Sequence, residues 1–293
     1  IRNAGALTVT DCAFSGNNSK GTNAGGLTGK TGGGGAIFND ATGTLTLTRS
    51  TLSGNTATGG NGEFANGGGG GGGGLGGAVF NKGGTATVTN TTLSGNSAIG
   101  GNGGNANSLC PMGPGGKGGG NGGEGNTAGG FGGGGSGGGN NGGPSTPGRF
   151  GGTGGARSIS CSISGAGQGG SAAGGAVFNY GGTTTLVNVT IANNTATAGT
   201  NGAASRGGGI YNETGTVTIK NSIVAGNSAQ TAGKEDSDNN SAPITTSGYN
   251  LFGSGTGNPT GGSQDQTIAP ANVFTTAIGA LQYFGSTTQV HPL

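Results

Sequence analysis

The side chains that could carry out acid–base chemistry are few and lie near the C-terminal end. Glu235, Asp236 and Asp238 follow Lys234, and His291 is the single histidine, two residues before the last. Glycosidic-bond cleavage needs two carboxylates, or a base beside a charge-stabilising cation, close together in space. The acidic group follows the last clear repeat, so we interpret it as a solvated loop or at most a weak calcium contact. We predict no enzyme, with no catalytic residue, no cofactor and no metal site.

Threonine pairs form a second pattern that could bind a ligand. They recur as Thr8/Thr10, Thr46/Thr48 and Thr87/Thr89. Outward threonine columns occur in some ice-binding β-helices, so ice binding is one alternative. Against it, Val187 and Lys220 interrupt the column in later repeats, and threonine favours exposed strand positions by itself.

Three cysteines, Cys12, Cys110 and Cys161, leave an odd number for disulfide pairing. An oxidising compartment would allow one disulfide and one remaining thiol. The interpretation we favour makes Cys12 and Cys161 small hydrophobic side chains that face inward or occupy corners. No Cys-x-x-Cys or Cys/His spacing indicates a metal.

Composition limits both the fold and the partners. The 293 residues include 81 glycines, 7% charged residues, 5% aromatic residues and no tryptophan. So little large apolar surface cannot fill an ordinary two-layer core. The net charge of +2 argues against nucleic acid as a partner, and no apolar run approaches the roughly 20 residues of a membrane-spanning helix. Richness in glycine, threonine, serine and asparagine is typical of exported proteins, so we predict a secreted, cell-surface location.

Internal repetition is the strongest signal in the sequence. One element, Gly-Gly-Ala-Ile-Phe-Asn, occurs at Gly34–Asn39 and recurs at Gly76–Asn81, Gly174–Asn179 and Gly207–Asn212. A second element follows after a short turn, at Thr44–Asn55, Thr85–Asn96, Thr183–Asn194, Thr216–Asn227 and, at the start, Ala6–Asn17. The asparagines that end these elements tolerate left-handed backbone and bond their neighbours, so we expect them to stack in ladders.

Aligned repeats give columns of apolar residues that alternate with threonine. The columns are Leu7, Leu45, Ala86, Thr184 and Val217; Val9, Leu47, Val88, Leu186 and Ile219; and Phe14, Leu52, Leu93, Ile191 and Val224. A period of two predicts strands with one buried face. We therefore predict an all-β fold, a parallel β-helix of about five or six coils with three short strands per coil.

The variable inserts all leave from one corner of the predicted solenoid. They span residues 18–33, 56–75, 97–173 and 195–206, so they must lie on one side. Such glycine-rich segments are ordinarily flexible linkers. Glycine also allows close backbone approach, and we expect polyproline-II-like strands laid side by side, on the solenoid or on a neighbouring molecule.

We assign residues 1–293 to one domain with a glycine-rich insertion at 97–157 and a C-terminal coil and tail at 228–293. A partial further coil is predicted at Ser160–Gly165, which parallels Asp11–Gly16.

The C-terminal residues carry a family resemblance. Asn221–Asn227, the acidic loop, Ser247–Gly253, Ile278–Gln282 and Thr288–Leu293 occur in that order. This arrangement resembles the bacterial choice-of-anchor Q family of secreted β-helix proteins, and the repeats resemble those of polymorphic outer-membrane proteins. The resemblance implies export, a right-handed parallel β-helix and association with the cell surface, with no catalytic residues to carry over.

These features predict a structural or adhesive protein. Ile1–Asn3 parallels Ile210–Asn212, so the sequence begins within a coil, and a preceding segment or another subunit is expected to cover that end. Self-association into an extracellular filament or surface layer, through the solenoid ends or the glycine-rich segments, is our leading hypothesis. The predicted partner is the protein itself or components of the cell surface or matrix. The alternatives are a monomeric adhesin and a carbohydrate-binding or carbohydrate-cleaving β-helix.

Overall fold

The computed structural model describes residues 1–23, 29–63, 69–105, 167–200, 204–240, 242–283 and 288–292. The predicted partial coil at Ser160–Gly165, most of the insertion at 97–157, Cys110 and Cys161 lie outside these residues.

The strands are short and recur in matching sets along the chain. The first set is β1 (Arg2–Asn3), β2 (Ala6–Thr10), β3 (Ala13–Ser15) and β4 (Asn18–Lys20). The second is β5 (Gly32–Gly33), β6 (Ile37–Asn39), β7 (Thr44–Thr48), β8 (Thr51–Ser53) and β9 (Thr56–Thr58). The third is β10 (Gly74–Leu75), β11 (Val79–Lys82), β12 (Thr85–Thr89), β13 (Thr92–Ser94) and β14 (Ser97–Ile99).

The later sets follow the same order. They are β15 (Ala172–Ala173), β16 (Val177–Val187), β17 (Thr190–Ala192) and β18 (Thr195–Thr197), then β19 (Ser205–Arg206), β20 (Ile210–Lys220), β21 (Ile223–Val224) and β22 (Ser228–Ala229). Next come β23 (Ser237–Asn239), β24 (Ile244–Thr246), β25 (Leu251–Gly253) and β26 (Gln266–Ile268). A 3₁₀ turn (Pro270–Asn272) and a π turn (Val273–Ala277) precede β27 (Gln282–Tyr283) and β28 (Gln289–Val290).

Each strand of the solenoid pairs in parallel with its counterparts in the neighbouring repeats. Three sheets run β26-β25-β21-β17-β13-β8-β3, β22-β18-β14-β9-β4 and β19-β15-β10-β5. The largest sheet runs β1-β6-β11-β16-β12-β7-β2, and β20 joins it between β16 and both β23 and β24. In register, Leu45 pairs with Leu7 and with Ala86. The chain is therefore a parallel β-helix, as the repeats predict.

The apolar columns fill the interior of the solenoid. Leu45, Leu47, Leu52 and Leu93 are fully buried, and they belong to one cluster that continues into every described repeat. Burying one such side chain contributes about 1.5–3 kcal/mol. The threonines between them face outward, as the period of two requires. Thr46 and Thr87, which pair with each other, are both partly exposed.

The prediction of three strands per coil is wrong, because the inserts begin and end in strands. Thr56–Thr58 and its counterparts form one sheet, and Gly74–Leu75 and its counterparts form another that packs against it. Ala98, Ala172 and Ala196 fill the space between these two sheets. These insert strands consist largely of alanine, glycine and threonine. Strand prediction from alternating large apolar side chains therefore does not detect them.

An aromatic column joins the solenoid to the strands that end the inserts. Phe38, Phe80 and Phe178 stack edge to face at centroid distances of 4.9 Å, and Tyr211 stacks on Phe178 at 5.7 Å. Leu75 belongs to the same buried cluster. Aromatic pairs in these geometries add about 0.5–1.5 kcal/mol each beyond their burial. The insert strands are therefore held firmly against the solenoid.

Two columns of asparagine run the length of the stack, as predicted. In each step the side-chain Nδ2 donates to the Oδ1 of the asparagine in the next repeat, at 2.7–2.9 Å. Asn96 shows the pattern: its Oδ1 accepts from the backbone and the side chain of Asn55, and its Nδ2 donates to Leu52 and Asn194. All steps run in the same direction.

We predict that Asn96→Ala lowers the free energy of unfolding by about 2–4 kcal/mol, because it leaves two buried N–H donors of Asn55 without an acceptor. Urea denaturation followed by circular dichroism measures this. Ser97→Ala is the control, since Ser97 is only partly buried and its side chain has no hydrogen bond. It should change stability by less than about 0.5 kcal/mol. Equal stability of the two variants would show that the column contributes little.

Candidate functional site

Beyond the insert strands, the described glycine-rich residues form an ordered layer, here called the glycine array. It comprises residues 21–23, 29–32, 59–63, 69–74, 100–104, 167–171 and 198–200. Its segments alternate in direction, since each insert leaves the solenoid and then returns. The array packs on its own solenoid, one of the two arrangements expected from the sequence.

Hydrogen bonds within the array recur every three residues. Gly59 and Gly62 donate to the carbonyls of Ile99 and Asn102, both at 2.8 Å. Gly101 and Gly104 donate to Gly72 and Gly69 at 2.8 and 2.7 Å, and Gly167 and Gly170 donate to Gly104 and Gly101 at 2.9 and 2.8 Å. Three residues per turn, with no bond inside a segment, is the pattern of polyproline II.

Every donor of the segment 59–61 has a partner. Gly59 donates to the insert of the next repeat, and Gly60 donates to Lys30 in the insert before it, at 2.8 Å. The third amide, that of Asn61, donates to the side-chain Oδ1 of Asn23 at 2.9 Å. In the same way, the backbone amide of Asn102 donates to the side-chain Oδ1 of Asn61 at 2.9 Å. Outward asparagines thus accept the hydrogen bonds of amides that would otherwise face solvent, and all three amides of this segment are paired within the protein.

Side chains are excluded inside the array by the close approach of neighbouring backbones. A Cβ atom on Gly101 would overlap the carbonyl of Gly60, and one on Gly72 would overlap the carbonyl of Lys30. These glycines have ordinary rather than left-handed backbone. Their role is therefore to permit contact.

The outer side of β4, β9, β14 and β18 presents a regular surface, here called the insert face. One of its two outward columns is Lys20, Thr58, Ile99 and Thr197, in register from strand to strand. Ile99 is 37% exposed, one of few large apolar side chains so exposed. Within this column Lys20 alone is charged.

The interpretation of the acidic group as a solvated loop is wrong. Asp236 and Asp238 are 4% and 1% exposed, and Ser237–Asn239 forms β23, which pairs with β20. Asp236 occupies the next position of the second asparagine column. Its Oδ1 accepts from the backbone N–H and Nδ2 of Asn227 at 2.9 and 2.8 Å. A carboxylate that replaces the amide of the column can stay buried because it accepts the same two donors.

The pKa of Asp236 is raised to about 6, mainly by burial and to a smaller extent by the charge of Glu235, while the two bonds from Asn227 act in the opposite direction. Asp238 lies opposite Tyr211 in register. It forms ion pairs with Lys234 at 2.9 Å and Arg206 at 3.7 Å, although neither of its oxygens has an aligned hydrogen bond.

The acidic group is thus a structural element of the stack. Among the residues that the structure describes, no three His, Cys, Asp or Glu side chains are arranged to hold a metal ion.

His291 lies against the solenoid, far in sequence from the residue it contacts. Its Nδ1 is 2.7 Å from the carbonyl of Gly279 and must donate to it, so Nε2 accepts from the Ser94 hydroxyl at 2.9 Å. Nearby, the hydroxyl of Thr51 donates to the carbonyl of Gln289 at 2.6 Å. A cleft of about 620 Å³ lies beside the Ser94–His291 pair. No pattern in the sequence linked this tail to the early repeats.

The remaining sequence candidates occupy surface positions. Cys12 is exposed at the corner between β2 and β3, so of the two expected placements it takes the corner. The threonine column faces outward, and Val187 and Lys220 interrupt it as the sequence indicates.

No family model, no curated protein and no solved structure matches this chain. The resemblance to the choice-of-anchor Q family therefore stays a prediction. Within the described part of the chain, no helix is long and apolar enough to cross a bilayer.

We predict that Gly101→Ala destabilises the protein by about 1–3 kcal/mol, because the new methyl group forces the Gly60 segment away and breaks the array. Gly5→Ala is the matched control, since its Cβ would meet nothing within 4 Å and its backbone is not left-handed. That change should be neutral or stabilise by up to about 1 kcal/mol. Thermal unfolding of both variants checks this, and equal melting temperatures would contradict an obligate glycine array.

We predict that Asp236→Asn raises stability at pH 8 and not at pH 4. The folded pKa of about 6 lies above the ordinary value of 3.8, so the stability that the protonated carboxyl contributes is complete below pH 3.8 and lost as pH rises through about 6. The loss is about 3 kcal/mol at most, and asparagine avoids it while keeping the carbonyl acceptor.

Calorimetry at pH 4, 6 and 8 measures this difference. Asp265→Asn is the control, because Asp265 also accepts from an asparagine, Asn250, but is partly exposed. A gain at pH 8 as large in the control as in Asp236→Asn would rule out burial as the cause.

Proposed function

We propose that this protein is an extracellular structural or adhesive surface protein in which the solenoid serves as a rigid support for the glycine-rich inserts. The observation that supports the proposal is the repeated backbone hydrogen bonding between segments of the glycine array, together with the aromatic column beneath it. An array fixed in this way holds the insert face as a broad, regular and almost uncharged surface. Repeat proteins use such surfaces for binding.

We further propose that the protein associates with itself, through the insert face or the solenoid ends. On the insert face Ile99 lies between Thr58 and Thr197, which contribute no charge repulsion. A surface of this composition lacks the charged side chains that usually keep β surfaces apart. Copies of one chain would present the same spacing between strands, about 4.8 Å, so they would match one another.

A second candidate function, carbohydrate binding, is favoured by one observation, the cleft beside His291.

We expect sedimentation velocity and negative-stain electron microscopy across a concentration series to show oligomers or fibres. Ile99→Lys should abolish assembly through the insert face, because it places a charge on that surface, whereas assembly through the solenoid ends would survive the change. Thr87→Lys is the matched control on the opposite threonine column and should assemble as the unchanged protein does. Single particles at every concentration would contradict self-association, and loss of assembly in both variants would contradict the assignment to the insert face.

A further inference from the structure

The cleft beside His291 lies between the C-terminal tail and the outer surface of β3, β8 and β13. It has a volume of about 620 Å³, within the range of small-ligand sites. The residues that matter for its chemistry are Ser15, Ser53, Ser94, Asn193, Phe274 and His291.

The tail that forms one wall is held in place by contacts of two kinds. Val273 and Ile278 are buried against Ala192 and Ala225 of the solenoid. Further along, the Ser94–His291 hydrogen bond fixes the imidazole, and the Gly279 carbonyl fixes its tautomer. The cleft is therefore preformed.

Three polar side chains in the cleft have no hydrogen-bond partner in the described part of the chain. The hydroxyls of Ser15 and Ser53 and the amide of Asn193 make no side-chain hydrogen bond. The asparagines of the two internal columns, by contrast, bond at every step. The cleft therefore offers donors and acceptors that the fold does not use.

Asn193 also departs from its own column. The equivalent residues in the other repeats are Gly16, Gly54, Gly95 and Gly226, and all five positions have left-handed backbone, with φ of 58° at Asn193. Glycine is the default for this conformation and asparagine is the side chain that tolerates it. The side-chain amide of Asn193 is therefore not needed for the backbone conformation at this position.

The lining specifies a neutral ligand with both polar and apolar surfaces. Among the lining residues that the structure describes, His291 is the one side chain that can carry a charge, so these residues would neutralise neither an anion nor a metal ion. A wholly apolar ligand would leave the hydroxyls and the amide buried without partners, which is costly. Phe274 is 43% exposed and presents a ring for apolar C–H groups.

We propose that this cleft binds a neutral saccharide, with C–H groups of a sugar ring against Phe274 and hydroxyls bonded to Ser15, Ser53 and Asn193. The two serines are paired in register on adjacent strands, about 4.8 Å apart. A short oligosaccharide lying along the solenoid axis would reach both. This inference stands apart from the proposed self-association, because it concerns another surface.

The test is titration of the full chain with cellobiose, maltose and N,N′-diacetylchitobiose, followed by isothermal titration calorimetry and saturation-transfer NMR. Di-galacturonate serves as the acidic comparator. At least one neutral sugar should bind, and Asn193→Gly should weaken that binding by about 10-fold. Asn193→Gly should leave the fold intact, because glycine readily adopts the left-handed backbone at this position. Asn90→Gly is the matched control, since Asn90 has the same left-handed backbone (φ 51°) outside the cleft.

Absence of binding by all three neutral sugars would overturn the proposal. Equal affinity of Asn193→Gly and Asn90→Gly would overturn the assignment to this cleft, and so would preference for di-galacturonate. Assembly of Asn193→Gly in the sedimentation experiment should match that of the unchanged protein, so failure here is distinguishable from failure of self-association.

Discussion

Hydrogen bonding between the backbones of successive repeats is the interaction on which every other part of this protein depends. Buried N–H and C=O groups must find partners, and in this chain those partners lie one repeat above or below. Strand Thr44–Thr48, for example, pairs residue by residue with Ala6–Thr10 on one side and Thr85–Thr89 on the other. The apolar columns, the asparagine columns and the glycine array all follow from this register, because each stacks like residues on like.

The solenoid and the glycine array both pair their backbone groups between repeats, but they are stabilised differently. Within the solenoid, β-strands bury leucine, isoleucine and valine, and the apolar interior supplies the driving force. In the glycine array there is almost no apolar side chain to bury, so backbone hydrogen bonds between segments and close packing must hold the segments together. The aromatic column of Phe38, Phe80, Phe178 and Tyr211 lies between the two regions. It gives the array an apolar base that its own composition could not provide.

The sequence predicted those features that large side chains mark. Leu45, Leu47 and Leu52 show the period of two, and Asn39 and Asn55 recur at fixed positions, so the parallel β-helix and both asparagine columns followed directly. The strands at Thr56–Thr58 and Gly74–Leu75 were missed because alanine and glycine carry little apolar contrast. Asp236 and Asp238 were placed in solvent because acidic residues are rarely buried unless paired.

The burial of Asp236 could not be predicted from the sequence, because its two hydrogen-bond donors belong to Asn227. That residue is adjacent to Asp236 only when the repeats are stacked. The cleft was likewise hidden, because it requires the tail to reach back to Ser94. One signal was nevertheless available. Ala192-Asn-Asn194 stands where the other repeats have Ser-Gly-Asn or Ala-Gly-Asn, and the loss of the middle glycine marks Asn193.

The three-residue period of the glycine array limits how the chain can change in evolution. Each insert segment shares its hydrogen bonds with segments from the repeats on both sides, so its glycines must keep phase with theirs. A single-residue deletion in residues 59–63 would bring Asn61 or Glu63 into positions where only a hydrogen atom fits. We therefore expect whole repeats to be gained or lost together with their inserts, and insert segments within the array to vary in length by multiples of three.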